Sequence, residues 1–323
     1  MGPEPNEARP DRRRPRQRRS SPPAAVQRRR AALGLVLIGL VALTIALTAG
    51  HASHGQGHGS ASTSGPAGGG AAGPGSADAS PGTPGSQTRS GESSEVRRLV
   101  ALGKPIYCAG SRGNEVALTF DDGPGPYTRL MLAKLRKHGV HATFFVVGRN
   151  IALDADATRQ ERALGAVGDH TFTHPLLTAL PTDEAEAEIV RTQQALARSS
   201  GGPVFLFRPP YGGRSPSIDA IARAHGMLEV LWTVDSADAL GANYAQIERN
   251  VIGGLRPGAI VLMHENHGQT VRAMLSIFAA LQRKHLHAVS VPQLLSDDPP
   301  SLGRVQAGGE GCGSQAGSSL GGG

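Results

Sequence analysis

Cysteine is nearly absent. Only Cys108 and Cys312 occur in 323 residues, without CxxC spacing, which excludes a cysteine-built metal cluster. Aromatic residues make up 4% of the chain while glycine reaches 44 residues, so much of the sequence should not fold compactly. A distributed basic face is missing as well. Residues 1–30 hold ten arginines and three acids, and the other 293 residues hold 23 basic and 23 acidic groups. A phosphate-binding face needs basic groups spread over the fold, so nucleic acid is excluded as a partner.

Residues 31–50, "AALGLVLIGLVALTIALTAG", contain no charge at all. As a helix they would cross roughly 30 Å of hydrocarbon. Arg28, Arg29 and Arg30 stand directly before them, which predicts a cytoplasmic N-terminus and an exported remainder. The run exceeds the length of an ordinary secretory core, and the reading favours an uncleaved signal-anchor in the cell membrane. The small residues Gly50 and Ala52 leave cleavage and secretion as the alternative.

From residue 51 to 95 there is no Leu, Ile, Val, Phe or Met. Such a segment buries no core and reads as a flexible tether. The chain thus divides into an arginine-rich segment (1–30), an anchor (31–50), a disordered linker (51–103), a folded domain (104–298) and a flexible tail (299–323). The two cysteines flank that domain. They could pair across it on the outer side of a membrane, or remain two free thiols.

Inside the domain, short apolar runs alternate with helical patterns. Residues 116–120, "ATFFVVG", Ala166-Val167, "VFLF", "LEVLWTV", "AIVLM" and "HAVSV" read as strands. The alternation predicts an α/β fold, an irregular β/α barrel of about seven parallel strands. Chemistry in such folds collects at strand C-termini. Asp121-Asp122, His170 with His174, Arg208, Asp235 and His264 all follow apolar runs. Solvated turns would scatter such groups over both ends of the strands. His170 and His174 are four apart, a spacing that sets both rings on one side of a helical turn, and with a carboxylate they make a tripod for a divalent ion.

These blocks resemble the polysaccharide deacetylase family, the carbohydrate esterases with a NodB homology domain, from about residue 115 to 295. "TFDDG", "HTFTH", "RPPYG" and "LMH" stand in the family's order. The resemblance implies Asp121 as catalytic base, with Asp122, His170 and His174 as ligands of a divalent metal, zinc foremost. Arg208 would hold the base, His264 would be the general acid, and Asp235 would orient Arg208 or His264. The Tyr211 backbone N–H would face the oxyanion, and Leu262 would line the acetyl pocket. One block departs from the pattern: D-x-x-D-W reads "DSADA", with Ala239 in place of the indole.

The resemblance and the export signal together imply an N-deacetylase of an extracellular glycan, peptidoglycan N-acetylglucosamine first. Chitooligosaccharides and acetyl-xylan esters are the alternative substrates, and a non-catalytic glycan-binding module is the alternative from another class. An aspartate-nucleophile phosphatase is rejected, because its second acid would fall on Gly123.

Overall fold

The first β-strand, β1 (Glu115–Gly123), is apolar on both faces except where function intervenes. Its Val116, Leu118 and Phe120 pack outward, and Ala117, Thr119 and Asp121 face the other way, as the period of two requires. The computed structural model describes Gly2 and residues 85–313. The expected anchor at 31–50 and most of the expected linker lie outside the described residues. Among the described residues, no helix is long and apolar enough to cross a membrane.

Around β1 stand β2 (Ala142–Val146), β3 (Gly165–Asp169), β4 (Leu206–Phe207), β5 (Leu228–Glu229), β6 (Val234–Asp235) and β7 (Ile260–His264). Seven parallel strands run in the order β5-β4-β3-β2-β1-β7-β6, and β8 (His287–Val289) pairs with the start of β1. Helices α2 (Thr128–Lys137), α3 (Ala155–Ala163), α4 (Thr182–Ser200), α5 (Pro216–Ala224), α6 (Tyr244–Gly254) and α7 (Gly268–Arg283) connect them. The parallel sheet curls into a distorted half-barrel clothed by these helices, as the alternation implies.

One expected strand divides in two. Residues 228–235, "LEVLWTV" and the following Asp, leave the sheet in their middle, so that β5 forms one edge and β6 the other. The interrupted stretch has another partner. The carbonyls of Val230 and Leu231 accept from the Arg208 guanidinium at 3.0 and 3.4 Å, which replaces ladder bonds with bonds to a charge.

The core has two main layers. Leu118, Phe120, Phe144, Val261 and Met263 pack between sheet and helices, while Ala117, Phe145, Leu206, Val230 and Ile260 fill the inner face. The inner layer corrects the domain boundaries. Helix α1 (Gly85–Leu102) begins inside the expected linker, and its Val96 and Leu99 are buried with Val291, Leu294 and Leu295 of α8 (Val291–Asp297). Residues 94–102 carry apolar side chains at helical spacing, which the glycine-rich stretch before them hides. The expected tail also takes part: Val305 of α9 (Leu302–Ala307) joins the same cluster, and a disulfide joins Cys108 to Cys312. The cysteine alternatives resolve in favour of pairing.

Candidate active site

Every polar residue of the site stands at or just past a strand end. Asp121 lies in register beside His264 of β7 on one side and Phe145 of β2 on the other. Strand alternation would send Asp122 to the opposite face. Instead the ladder is irregular between Asp121 and Gly123, and Asp122 adopts φ 73°. Aspartate tolerates that left-handed conformation better than most residues. The break lets two consecutive carboxylates serve one cleft.

His170 and His174 meet without a helix, which corrects the expected helical turn. Thr171 and His174 both have φ 64°, in a loop after β3. Asp169 Oδ1 accepts from Thr171 N at 2.8 Å, and Thr171 Oγ1 accepts from His174 N at 3.1 Å. These local bonds fold the loop back on itself. The rings end 4.8 Å apart, and Tyr211, itself at φ 61°, packs its ring against His174 at the same distance.

Asp122, His170 and His174 form the one cluster of metal-ligating type among the described residues, each offering an atom within 4.8 Å of the others. His170 Nδ1 donates to the Arg208 carbonyl at 2.7 Å, so its Nε2 is the bare nitrogen and it faces Asp122 Oδ1 at 3.6 Å. His174 Nε2 lies 3.3 Å from the same oxygen. Burial disfavours the His170 imidazolium and, with His174 beside it, outweighs the Asp122 charge, taking its pKa down to about 3. Asp122 Oδ1 is buried with no hydrogen-bond donor among the described residues, while Oδ2 accepts from Asn266 Nδ2 at 3.2 Å. An orphaned carboxylate oxygen facing a bare imidazole nitrogen suits a divalent cation.

Beside this cluster, Asp121 is 2% exposed and Arg208 is fully buried. Arg208 Nη1 donates to Asp121 Oδ1 at 2.7 Å and to Thr119 Oγ1 at 2.8 Å, with its guanidinium 4.0 Å from the Phe145 ring. Burial pushes the Asp121 pKa up, against the pull of Arg208 and His264. Asp121 Oδ2 points instead toward His170 Nε2, 3.6 Å away.

The opposite wall is His264, and the carboxylate that holds it is Asp238 rather than Asp235. His264 Nδ1 and its backbone N–H donate to Asp238 Oδ1 and Oδ2, each at 2.7 Å. Thr270 Oγ1 and Ala239 N donate to the same side chain at 2.6 and 2.8 Å. Burial opposes the His264 imidazolium, but the Asp238 bond and charge, with Asp121 and Asp122, carry its pKa up to about 9. Asp235 Oδ1 caps a turn, accepting from Ala237 N at 2.7 Å, and its charge only favours the Arg208 guanidinium at longer range. The D-x-x-D spacing held both acids, and the sequence carried no signal to choose between them.

Leu262 is buried two residues before His264, on the same face of β7. Ala239 is exposed, and Trp232 packs against Gly212 behind the Tyr211 loop, its ring 5.6 Å from Arg208. His267 sets its ring 5.8 Å from His264, at the start of α7.

Residues 109–230 match the family model described as polysaccharide deacetylase. A peptidoglycan-N-acetylglucosamine deacetylase of Bacillus cereus is 34% identical over 186 residues, covering 56% of this chain and 68% of that protein. A chitooligosaccharide deacetylase of Rhizobium leguminosarum is 33% identical, covering 61% of this chain and 99% of its own length. This chain belongs to the polysaccharide deacetylase family. Among solved structures of the family, the peptidoglycan N-acetylglucosamine deacetylase Bc1960 superposes with a TM-score of 0.58 at 32% identity, covering 61% of this chain and 95% of that one. The half-barrel is therefore the fold of a deacetylase family.

Proposed function

We propose that this domain hydrolyses the N-acetyl group of an N-acetylglucosamine-containing glycan outside the cell membrane, with peptidoglycan as the substrate. The observation that carries the reading is the placement of a base, an acid and a cation-ready tripod around one cleft. Asp122, His170 and His174 would hold a divalent metal, with zinc suited to the two-imidazole, one-carboxylate set. When bound, such a cation supplies Lewis-acid polarisation of the acyl carbonyl.

The chain's own residues supply the proton chemistry. Asp121 accepts a proton from the attacking water through its free oxygen, while Arg208 fixes the other. Burial raises its pKa, which makes it a stronger base than a surface aspartate. His264 carries a proton at neutral pH because Asp238 holds it, and it delivers that proton from Nε2 to the departing nitrogen. An amine leaves poorly without one. The Tyr211 backbone N–H is assigned to the developing oxyanion, a contact of the kind worth about 3 kcal/mol.

The substrate assignment draws on the Bacillus cereus relative together with the uncharged run behind Arg28–Arg30. That run would hold the domain in the cell membrane, facing the wall. The test is acetate release by the full chain from peptidoglycan, chitin oligomers and acetylated xylan, with and without zinc. Zinc-dependent release fastest from peptidoglycan is expected. Faster release from chitin oligomers or xylan would overturn the substrate, and binding without release would make the domain a glycan-binding module. Cell fractionation checks the anchor, since a soluble exported form starting near residue 51 would refute it.

A further inference from the structure

Asp122 combines a left-handed backbone, φ 73°, with a carboxylate whose Oδ1 faces both imidazoles of the tripod. Two asparagines that the mechanism above does not use converge on it, one from beyond each strand beside β1. After β2, Val147 N donates to the Gly123 carbonyl at 3.0 Å, and the short 3-10 turn Gly148–Ala152 follows. That turn sets Asn150 Nδ2 against the Asp122 backbone carbonyl at 3.0 Å. After β7, the pairing of His264 with Asp121 is extended by Glu265 N, which donates to the Asp121 carbonyl at 3.3 Å. The next residue, Asn266, thereby stands beside Asp122 and donates from Nδ2 to its Oδ2 at 3.2 Å.

We propose that Asn266 is a positioning residue for Asp122, turning its carboxylate so that Oδ1 faces the cation, while Asn150 holds the left-handed backbone in place. The inference rests on the metal reading under Proposed function. With Oδ2 taken by an amide donor, Oδ1 is the oxygen left to face His174 Nε2 and His170 Nε2, 3.3 and 3.6 Å away. The amide serves in one orientation alone. Turned over, it would set its own oxygen against Oδ2, two acceptors with no proton between them. The serving orientation leaves Asn266 Oδ1 buried without a donor among the described residues. An unpaired buried carbonyl is destabilising, and an apolar side chain of similar size would avoid it. The bond to Asp122 is what an amide adds at this position. Gly125 leaves room for the approach, since a Cβ there would stand 3.2 Å from the Asn266 Cβ.

Direct contact with the glycan is the competing role, because Asn266 is half-buried at the cleft and an amide also suits a sugar hydroxyl. A donor committed to Asp122 and an acceptor shut away from solvent favour the positioning role. Groups that orient a metal's ligands set its affinity, and losing one typically weakens binding about 10–100-fold.

Zinc affinity of the full chain, measured by competition with a chelator of known affinity, tests the proposal without relying on turnover. Asn266→Ala removes the donor, and Asn266→Leu removes it while keeping the bulk. Both should bind zinc about 10–100-fold more weakly than the wild type, with the urea midpoint of the metal-free protein unchanged. Cobalt in place of zinc should give a shifted visible spectrum in both variants, which a packing defect away from the ligands would not. Asn150→Ala, which releases the backbone, should weaken zinc binding and lower the metal-free midpoint together. A change below about threefold in zinc affinity in both Asn266 variants would overturn the proposal. So would a loss of affinity matched by an equal loss of metal-free stability. A raised KM for chitin oligomers with zinc affinity and cobalt spectrum unaltered would also overturn it, and make Asn266 a substrate contact. A wild type that binds no zinc would refute the tripod itself, an outcome distinct from these.

Discussion

Replacing Asp238 with asparagine removes the charge that keeps His264 protonated. Four donors converge on the Asp238 carboxylate, two of them from His264. Both partners are well buried, with side chains 12% and 0% exposed, so solvent screening is small. The imidazole stands at about 9 against an ordinary 6.5, while Asp238 stands at about 2 against 3.8. Burial opposes the charged form of both groups, so each displacement understates what holds the pair, and together they imply stabilisation on the order of 3 kcal/mol. In Asp238→Asn the burial remains and the charge is gone, so His264 returns to its ordinary value or below. At pH 8 its protonated fraction then falls about 30-fold. The assay is kcat/KM against pH on an N-acetyl substrate and on an activated aryl acetate. The wild-type alkaline limb should fall near pH 9 on the amide, and the variant's limb should move below pH 7. The ester, whose leaving group departs unaided, should be affected less. An unmoved limb, or equal losses on amide and ester, would refute the acid role of His264. Stability follows the same linkage: a pKa raised on folding stabilises fully below about 6.5 and is lost as pH rises toward 9.

Other expectations follow from burial and covalent linkage. Arg208→Ala leaves Asp121 buried without its cation, and should cost about 3–5 kcal/mol in denaturant unfolding unless Asp121 takes up a proton; a loss under 1 kcal/mol would count against the pair as a structural support. Leu99→Ala should cost about 2–5 kcal/mol, because Leu99 is completely buried against the inner layer. An unchanged midpoint would return the boundary to residue 104. The native protein should contain no free thiol, and Cys312→Ser should lower stability by about 2–4 kcal/mol by releasing the residue that ties the end of the domain to Cys108. Two titratable thiols in the unreduced protein would contradict the pairing.

What the sequence disclosed, and what it hid, follows from the reach of each signal. The β1, β2 and β7 strands were legible because each is a long apolar run, and the strand-end rule then located Asp121, Asp122, His170, Arg208 and His264 together. Helix α3 was not visible. Its buried face consists of Ala157, Thr158 and Glu161, so no apolar period marks it. For the same reason Glu161 gave no hint of burial. The stretch 228–235 reads as one strand because its apolar run is continuous, and the partners it meets at the break, the Arg208 guanidinium and the Ile106 backbone, lie elsewhere in the sequence. The choice of Asp238 over Asp235 depended on the partner of His264, 26 residues away. Left-handed backbone at Asp122, Thr171 and His174 left no local signature either, since none is glycine.

The proposed chemistry requires adjacent aspartates to do separate work, and metal content measured beside turnover distinguishes their roles. Purified wild type, Asp121→Asn and Asp122→Asn would be loaded with zinc, dialysed, assayed for bound metal by atomic absorption, and then assayed for acetate release. Asp121→Asn should retain the ion, because Asp122, His170 and His174 are intact, and lose about 10²–10⁴-fold in kcat for want of a proton acceptor. Asp122→Asn should lose the ion and the activity together. Loss of metal in Asp121→Asn with retention in Asp122→Asn would reverse the roles, and full activity in both would reduce the pair to an ordinary turn.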